Sequence, residues 1–373
     1  MATYLLIIVI SVLFTYWAEC SRKNRSLFLF FSFWALFIPA FFAGCRDLTV
    51  GFDVMFYEYD IYKSAHYSNS FFDLLSSDVG SIEPLFLLIN YLTVLIIDDI
   101  HFVLGVISFV TLYFAYCACF KMNKVAPSWL LFTCFLLLNY ASSMNIIRQS
   151  LAISICLYAY SLMKTSALNS RFYIAAFLAV LVHRTALLPI GLLIIYFYLS
   201  NMDEKKFSSI FLLYIIGMAI LFATTSYILP FLSNLFNKDF EIYLDGSMSD
   251  KSWTQTFVST AYVSYLTIFI IVCYWGYKKK IIFATDIHEY KCNAASIALC
   301  ILLAASFTGS MLRLIAYFIA ISVIELASIL LNKKIKTYKR NIFVCCIIVL
   351  FLILFMKEGY YDGLDYSSKI LGI

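Results

Sequence analysis

Residues 130–163 read LLFTCFLLLNYASSMNIIRQSLAISICLYAYSLM, and Arg148 is their only charged side chain. As one α-helix, 34 residues would reach about 51 Å, well past the roughly 30 Å of a bilayer's hydrocarbon core. The chain must therefore break, and the small polar run NYASSMN (139–145) is where it can. Two helices then meet at one membrane boundary. Arg148 falls in the first turn of the second helix, with Ser143 or Asn145 as its expected cap.

The same character extends along the chain. Of 373 residues, 63% are hydrophobic and 13% charged, and the mean hydropathy is +0.89, against roughly 45–50% apolar and about 25% charged for a soluble domain. Apolar runs fall near 3–18, 26–43, 83–97, 102–120, 128–143, 146–163, 172–182, 184–200, 207–232, 256–277, 291–309, 312–331 and 341–356. We expect an all-α polytopic membrane protein forming a single transmembrane domain over 1–373. The first run has no basic residues before it and is followed by ECSRKNR (19–25), so it reads as an uncleaved first span. The 11 cysteines include no CxxC pair, and with four histidines and no HExxH motif we expect neither a disulfide, a metal site nor a cofactor.

Charge sets the topology. The basic clusters at 22–25, 205–206, 278–280 and 333–340 mark the cytoplasmic face. Two long acidic stretches, 44–82 and 233–255, are then external loops. Parity fails if 83–97 and 102–120 both cross, because Lys121 and Lys124 would lie outside. The 15-residue run 83–97 covers only about 22 Å as a helix, so it is read as a partial, re-entrant or interfacial element; merging 172–182 with 184–200 into one broken span is the alternative. The first choice leaves 18 of 27 Lys and Arg in the cytoplasm. It also brings Arg46, Arg148, His183, Arg184 and Arg313 to the outer boundary.

Arg148, Arg184 and Arg313 each follow a break and begin a helix entering from outside. A helix start carries partial positive charge, so a cation there costs free energy unless an anion sits between. Helix-start N–H groups and the planar guanidinium fork both suit phosphate. The alternative for each arginine is snorkelling to lipid headgroups or pairing with a loop carboxylate. The loop GCRDLTVGFDVMFYEYD (44–60) adds carboxylates and tyrosines able to stack on sugars. Asp53 and Glu83 are the candidate general bases, although Glu83 beside Pro84 can equally complement a helix dipole. His183 can carry a proton or serve as a hydrogen-bonding strut. Glu325 is an acid deep in a span, read as a structural partner rather than a catalyst. Gln149, Tyr57 and Tyr317 complete the candidate set as substrate-binding side chains.

An Arg after the second span, then VGFDVMFY, IEPLF, IIRQSLAIS and LVHRTALLP in that order, resembles the EpsG/Wzy family of polysaccharide polymerases. The matching region runs from about residue 27 to 200, and RQSLA followed about 35 residues on by HRTAL is its most specific element. Phe52 after Gly51 departs from the family, whose members commonly have a glycine and threonine before the Asp. The resemblance implies a GT-C-like bundle of about 11–13 transmembrane helices in a bacterial cytoplasmic (inner) membrane, with its active site facing the periplasm or exterior. It implies a glycosyltransferase that joins undecaprenyl-diphosphate-linked repeat units of O-antigen or exopolysaccharide. Arg148 would hold the leaving diphosphate, supported by Arg184, Arg313 and Arg46. The implied partners are undecaprenyl-diphosphate-linked glycan donor and acceptor, membrane lipid and a chain-length regulator, with no nucleic acid. An O-antigen ligase shares the arginine logic. A flippase for the same lipid-linked sugars and a membrane acyltransferase are the other candidates.

Overall fold

The computed structural model describes residues 2–51, 54–217, 220, 253–282, 284–306, 313–361 and 365–373. Among the described residues every regular element is helical: α1 (Ala2–Cys20), α2 (Arg25–Cys45), α3 (Tyr59–Tyr67), α4 (Phe71–Leu75), α5 (Pro84–Ile96), α6 (Ile100–Lys121), α7 (Ser128–Asn139), α8 (Ile147–Ser166), α9 (Ser170–Val182), α10 (Leu187–Ser200), α11 (204–217), α12 (Trp253–Lys278), α13 (Ala284–Ser306), α14 (Ile315–Leu330) and α15 (Thr337–Tyr361). Four stretches, Ala2–Cys20, Arg25–Cys45, Ile100–Lys121 and Thr337–Met356, are long and apolar enough to cross a membrane, and five shorter apolar helices accompany them. The chain is thus an all-α polytopic membrane protein. It forms two compact units, Met1–Gly191 with Asn341–Ile373, and Leu192–Arg340.

In the first unit, several polar atoms are matched helix to helix, as suits a place where water is absent. Pro39 lies inside α2 and has no N–H for the carbonyl of Ala35 one turn earlier; Ser11 of α1 donates to that carbonyl at 2.6 Å instead. Glu19 at the end of α1 caps α7 from outside, its two oxygens accepting the backbone N–H of Ser128 and of Trp129 at 3.1 Å each. Arg22 donates to Ser128 Oγ at 2.6 Å. One end of this bundle is therefore fixed around Glu19, Arg22 and Ser128.

The opposite end gathers the breaks. Two close backbone approaches there require glycine. Gly51 has φ +96°, and a Cβ on it would lie 2.1 Å from the Met144 carbonyl oxygen. A Cβ on Gly44 would lie 2.8 Å from the His101 carbonyl oxygen and 3.1 Å from Gly105 Cα, where α2 crosses α6. The C-terminal residues fold back to the same place: Tyr366 donates to Phe42 O at 3.0 Å, Asp47 N–H to Ser367 O at 2.9 Å, and Ser368 Oγ to Cys45 O at 2.5 Å.

Helix α5 begins and ends at this end. Glu83, just before it, meets Arg148 at the start of α8. Four residues beyond its C-cap Ile97, His101 Nδ1 lies 2.8 Å from Gly44 O at the end of α2. Thirteen residues span about 20 Å, and both termini attach to the same end of the bundle. Segment 83–97 does not cross it, as the parity argument requires. Within the stretch 44–82 the described residues form a π-helical turn Val54–Glu58, α3, α4 and a 3-10 turn Asp78–Ser81. Of the stretch 233–255, residues 233–252 lie outside the described residues.

The second unit is held by hydroxyls and one acid. Tyr196 and Tyr214 both meet Ser296 Oγ, at 2.5 and 2.8 Å, and Tyr265 meets Ser322 at 2.5 Å. Glu325, 1% exposed in α14, accepts from Asn293 Nδ2 at 2.6 Å. Such cross-helix hydrogen bonds replace the hydrophobic drive that lipid does not supply. The structure gives Glu325 this structural partnership.

Candidate active site

Glu83 is the centre of the cluster. Pro84 fits the first turn of α5, where an N–H is not needed. The Glu83 backbone is extended, and its side chain makes no cap bond to its own helix. It turns instead toward two other helix breaks. Arg148 Nη1 lies 2.9 Å from Oε2. The Arg184 backbone N–H donates to Oε1 at 3.3 Å, and His183 Nδ1 lies 3.4 Å from the same oxygen. Burial favours the neutral acid, but the nearby His183 ring and the Arg148 charge together hold this carboxyl well below the usual carboxylate range. Glu83 is therefore an anion at every physiological pH and a weak base.

Arg148 is the second residue of α8, placed by the break read at NYASSMN. Ser143, one of the expected caps, is used elsewhere. The N-cap position is Ile146, with no side-chain cap bond, and Ser143 Oγ donates backward to the Tyr140 carbonyl at 2.7 Å. A 3-10 turn, Ser142–Met144, carries the chain round the corner and spends the serine on the preceding turn. The first N–H groups of α8 have no intrahelical acceptors, and Ile146 at the N-cap supplies none. Arg148 is 26% exposed at its side chain, so its fork retains donors beyond the one that meets Glu83.

Arg184 opens the 3-10 turn Arg184–Ala186 that joins α9 to α10. Its side chain is exposed and donates to Ser81 O at 3.2 Å. The two breaks, at Arg148 and at His183–Arg184, are thus sewn to the start of α5 through one carboxylate and one carbonyl.

Arg46, expected among the phosphate-binding arginines, faces inward. It is 2% exposed. It donates to Val50 O and Met144 O at 3.2 Å each and also to Ala43 O. Burial lowers its pKa to about 10, which leaves it a cation. The guanidinium braces the end of α2, the turn that follows and the α7–α8 corner. A crevice beside it, lined by Ala43, Leu104, Ser143 and Ile147 among others, holds about 10 Å³. That is room for one water and too little for a phosphoryl group.

Glu58 is the acid that sequence reasoning passed over as one of a solvated loop's carboxylates. It ends the π-helical turn Val54–Glu58 and is 3% exposed. Burial pushes its pKa up to about 7, against the pull of Arg148, Asn90 and Arg46. Its Oε1 is buried with no hydrogen-bond partner, as is Asn90 Oδ1.

The remaining candidates are distributed. Tyr57 is 51% exposed on the π-helical turn, and Gln149 is buried next to Arg148 in α8. Asp53 lies outside the described residues. Arg313 and Tyr317 belong to the second unit: Arg313 is exposed in the turn before α14, while Tyr317, 1% exposed, packs inside that helix and is not presented to a substrate.

The first unit thus brings together Glu83, Arg148, His183 and Arg184, all drawn from the segments whose order and spacing carry the resemblance. No curated protein matches the chain. A model of the EpsG family matches residues 29–368, nearly the whole length, and the chain belongs to the EpsG family, which includes Wzy-type polysaccharide polymerases.

Proposed function

We propose that this polymerase is a glycosyltransferase using an undecaprenyl-diphosphate-linked donor, joining oligosaccharide repeat units of O-antigen or exopolysaccharide at the outer face of a bacterial cytoplasmic membrane. The observation that carries the reading is Arg148: a part-exposed guanidinium in the first turn of a helix, aimed by a buried carboxylate. In this reading the donor's diphosphate sits on the open edge of Arg148 and the first N–H groups of α8, where helix dipole and guanidinium act together. Glu83 holds Arg148 in one orientation and ties it to the α9–α10 break, so the donors are in place before charge develops. As the bond from the anomeric carbon to the phosphate oxygen breaks, the leaving diphosphate takes the electron pair, and Arg148 stabilises it. The hydroxyl of the incoming unit attacks that carbon and loses its proton. Glu83 is too weak a base to accept it, so His183 and Asp53 are the candidates for that role.

The test is a gene deletion scored by the size ladder of the surface glycan, complemented with wild type, Arg148→Ala and Arg148→Lys. Polymerase activity requires single repeat units at the surface of the deletion strain and a ladder restored by wild type alone, with only weak recovery from Lys, which lacks the bidentate fork. Lipid-linked units retained in the cytoplasm would indicate a flippase, and lipid-linked polymer left untransferred would indicate a ligase.

A further inference from the structure

We infer that Glu58 sets the charge of the Arg148 site, taking up one proton from solvent when a diphosphate binds and releasing it when the site empties. The inference rests on the anion-binding reading of Arg148 proposed above and adds to it the residue that makes the binding proton-linked.

The groups facing Glu58 are Arg148 from α8, Arg46 from α2 and Asn90 from α5. Asp60 and Lys63 on the adjoining α3 are exposed to solvent. Arg46 is committed to backbone carbonyls, and Arg148 is paired with Glu83. With Glu58 neutral, the arginines Arg46 and Arg148 face Glu83 alone. With Glu58 ionised the group carries one positive charge fewer, and a diphosphate dianion gains less by entering.

The geometry also favours the neutral form. A carboxylate here would leave Oε1 buried and without a donor, a costly state. Asn90, in hydrogen-bonding contact with Glu58, carries a second buried oxygen without a donor. One proton on Glu58 supplies a donor that this pair of acceptors lacks. Burial already places the Glu58 pKa at about 7, and an anion beside Arg148 raises it further. Proton uptake on binding is then small below neutrality, where Glu58 already holds its proton, and approaches one above it.

The experiment uses the full chain in lipid nanodiscs and a soluble diphosphate diester, diethyl diphosphate, which has no proton of its own to exchange near neutrality. Calorimetric titrations in two buffers of different ionisation enthalpy count the protons taken up. For a group near pH 7, the expected uptake is about 0.1 proton per ligand at pH 6 and about 0.9 at pH 8, with affinity falling about tenfold between them. Glu58→Gln should bind equally at both pH values with no uptake. The wild-type proton count needs no variant, so a misfolded Glu58→Gln would not spare the inference. Wild-type binding that Arg148→Ala abolishes, but with no proton uptake at pH 8, overturns the role of Glu58 and leaves the anion site standing. No binding to wild type at any pH, or binding unchanged in Arg148→Ala, overturns the anion site and the inference with it.

Discussion

With 5% of its side chain exposed, Glu83 meets a guanidinium, a backbone N–H and an imidazole at once. Removing its charge leaves Arg148 half-buried without its counter-ion. Glu83→Gln should cost roughly 2–3 kcal/mol, below the range for a fully buried pair because Arg148 keeps some solvent, read as a lower thermal midpoint in detergent. The pH slopes distinguish the two acids. The Glu83 carboxyl is held below its ordinary range, so its contribution is present above that range and lost as pH falls through it; Glu83→Gln should flatten the acid limb of the stability profile. Glu58 is raised to about 7, so the folded chain holds a proton that the unfolded chain gives up, and stability falls as pH rises from about 4.5 toward 7. Glu58→Gln should remove that fall. Sequence reading found Arg148 and Glu83 because each is a rare charge beside an apolar run. It could not find the burial of Glu58, which depends on Asn90, Arg46 and Arg148 brought from three other helices, nor the inward turn of Arg46, whose acceptors are backbone carbonyls that have no sequence signature.

Breaks between helices position the cluster. The α7–α8 break is legible from length alone, since no bilayer accommodates 34 residues in one upright helix. Its cap is not legible, because a serine in a 3-10 turn can donate backward as readily as it can cap forward, and Ser143 does the former. Gly51 ties this corner to the chain after α2 through a backbone contact that admits no side chain. Gly51→Ala combines positive φ with a Cβ 2.1 Å from Met144 O and should lower stability by about 2 kcal/mol or more, with loss of the glycan ladder. Gly191→Ala is the control: nothing lies within 4 Å of its Cβ, and alanine favours the helix by about 1 kcal/mol, so its midpoint should hold or rise. Wild-type stability in Gly51→Ala would mean that the Met144 corner yields freely.

At the scale of the molecule, counting charges settled what hydropathy could not. Hydropathy alone allows 83–97 as a span; the basic residues at 121–124 argue for a partial, re-entrant or interfacial element, and both ends of α5 attach at the Arg46 end of the first unit. Cysteines placed singly at Ser81, Asp98 and Lys369, in a background lacking accessible cysteine, should all react with an impermeant maleimide from outside intact cells, and one at Lys23 should not. Opposite labelling of Ser81 and Asp98 would make α5 a crossing and invert everything after it. The two-unit organisation is not readable from apolar runs, which look alike on either side of Gly191. The central claim, that Arg148 holds the donor's diphosphate while chains are joined, is tested most directly with purified protein in proteoliposomes, supplied with lipid-linked repeat units extracted from the deletion strain and followed by product size. The account predicts a ladder of multiples from wild type and single units alone from a folded Arg148→Ala; a full ladder from Arg148→Ala would contradict it.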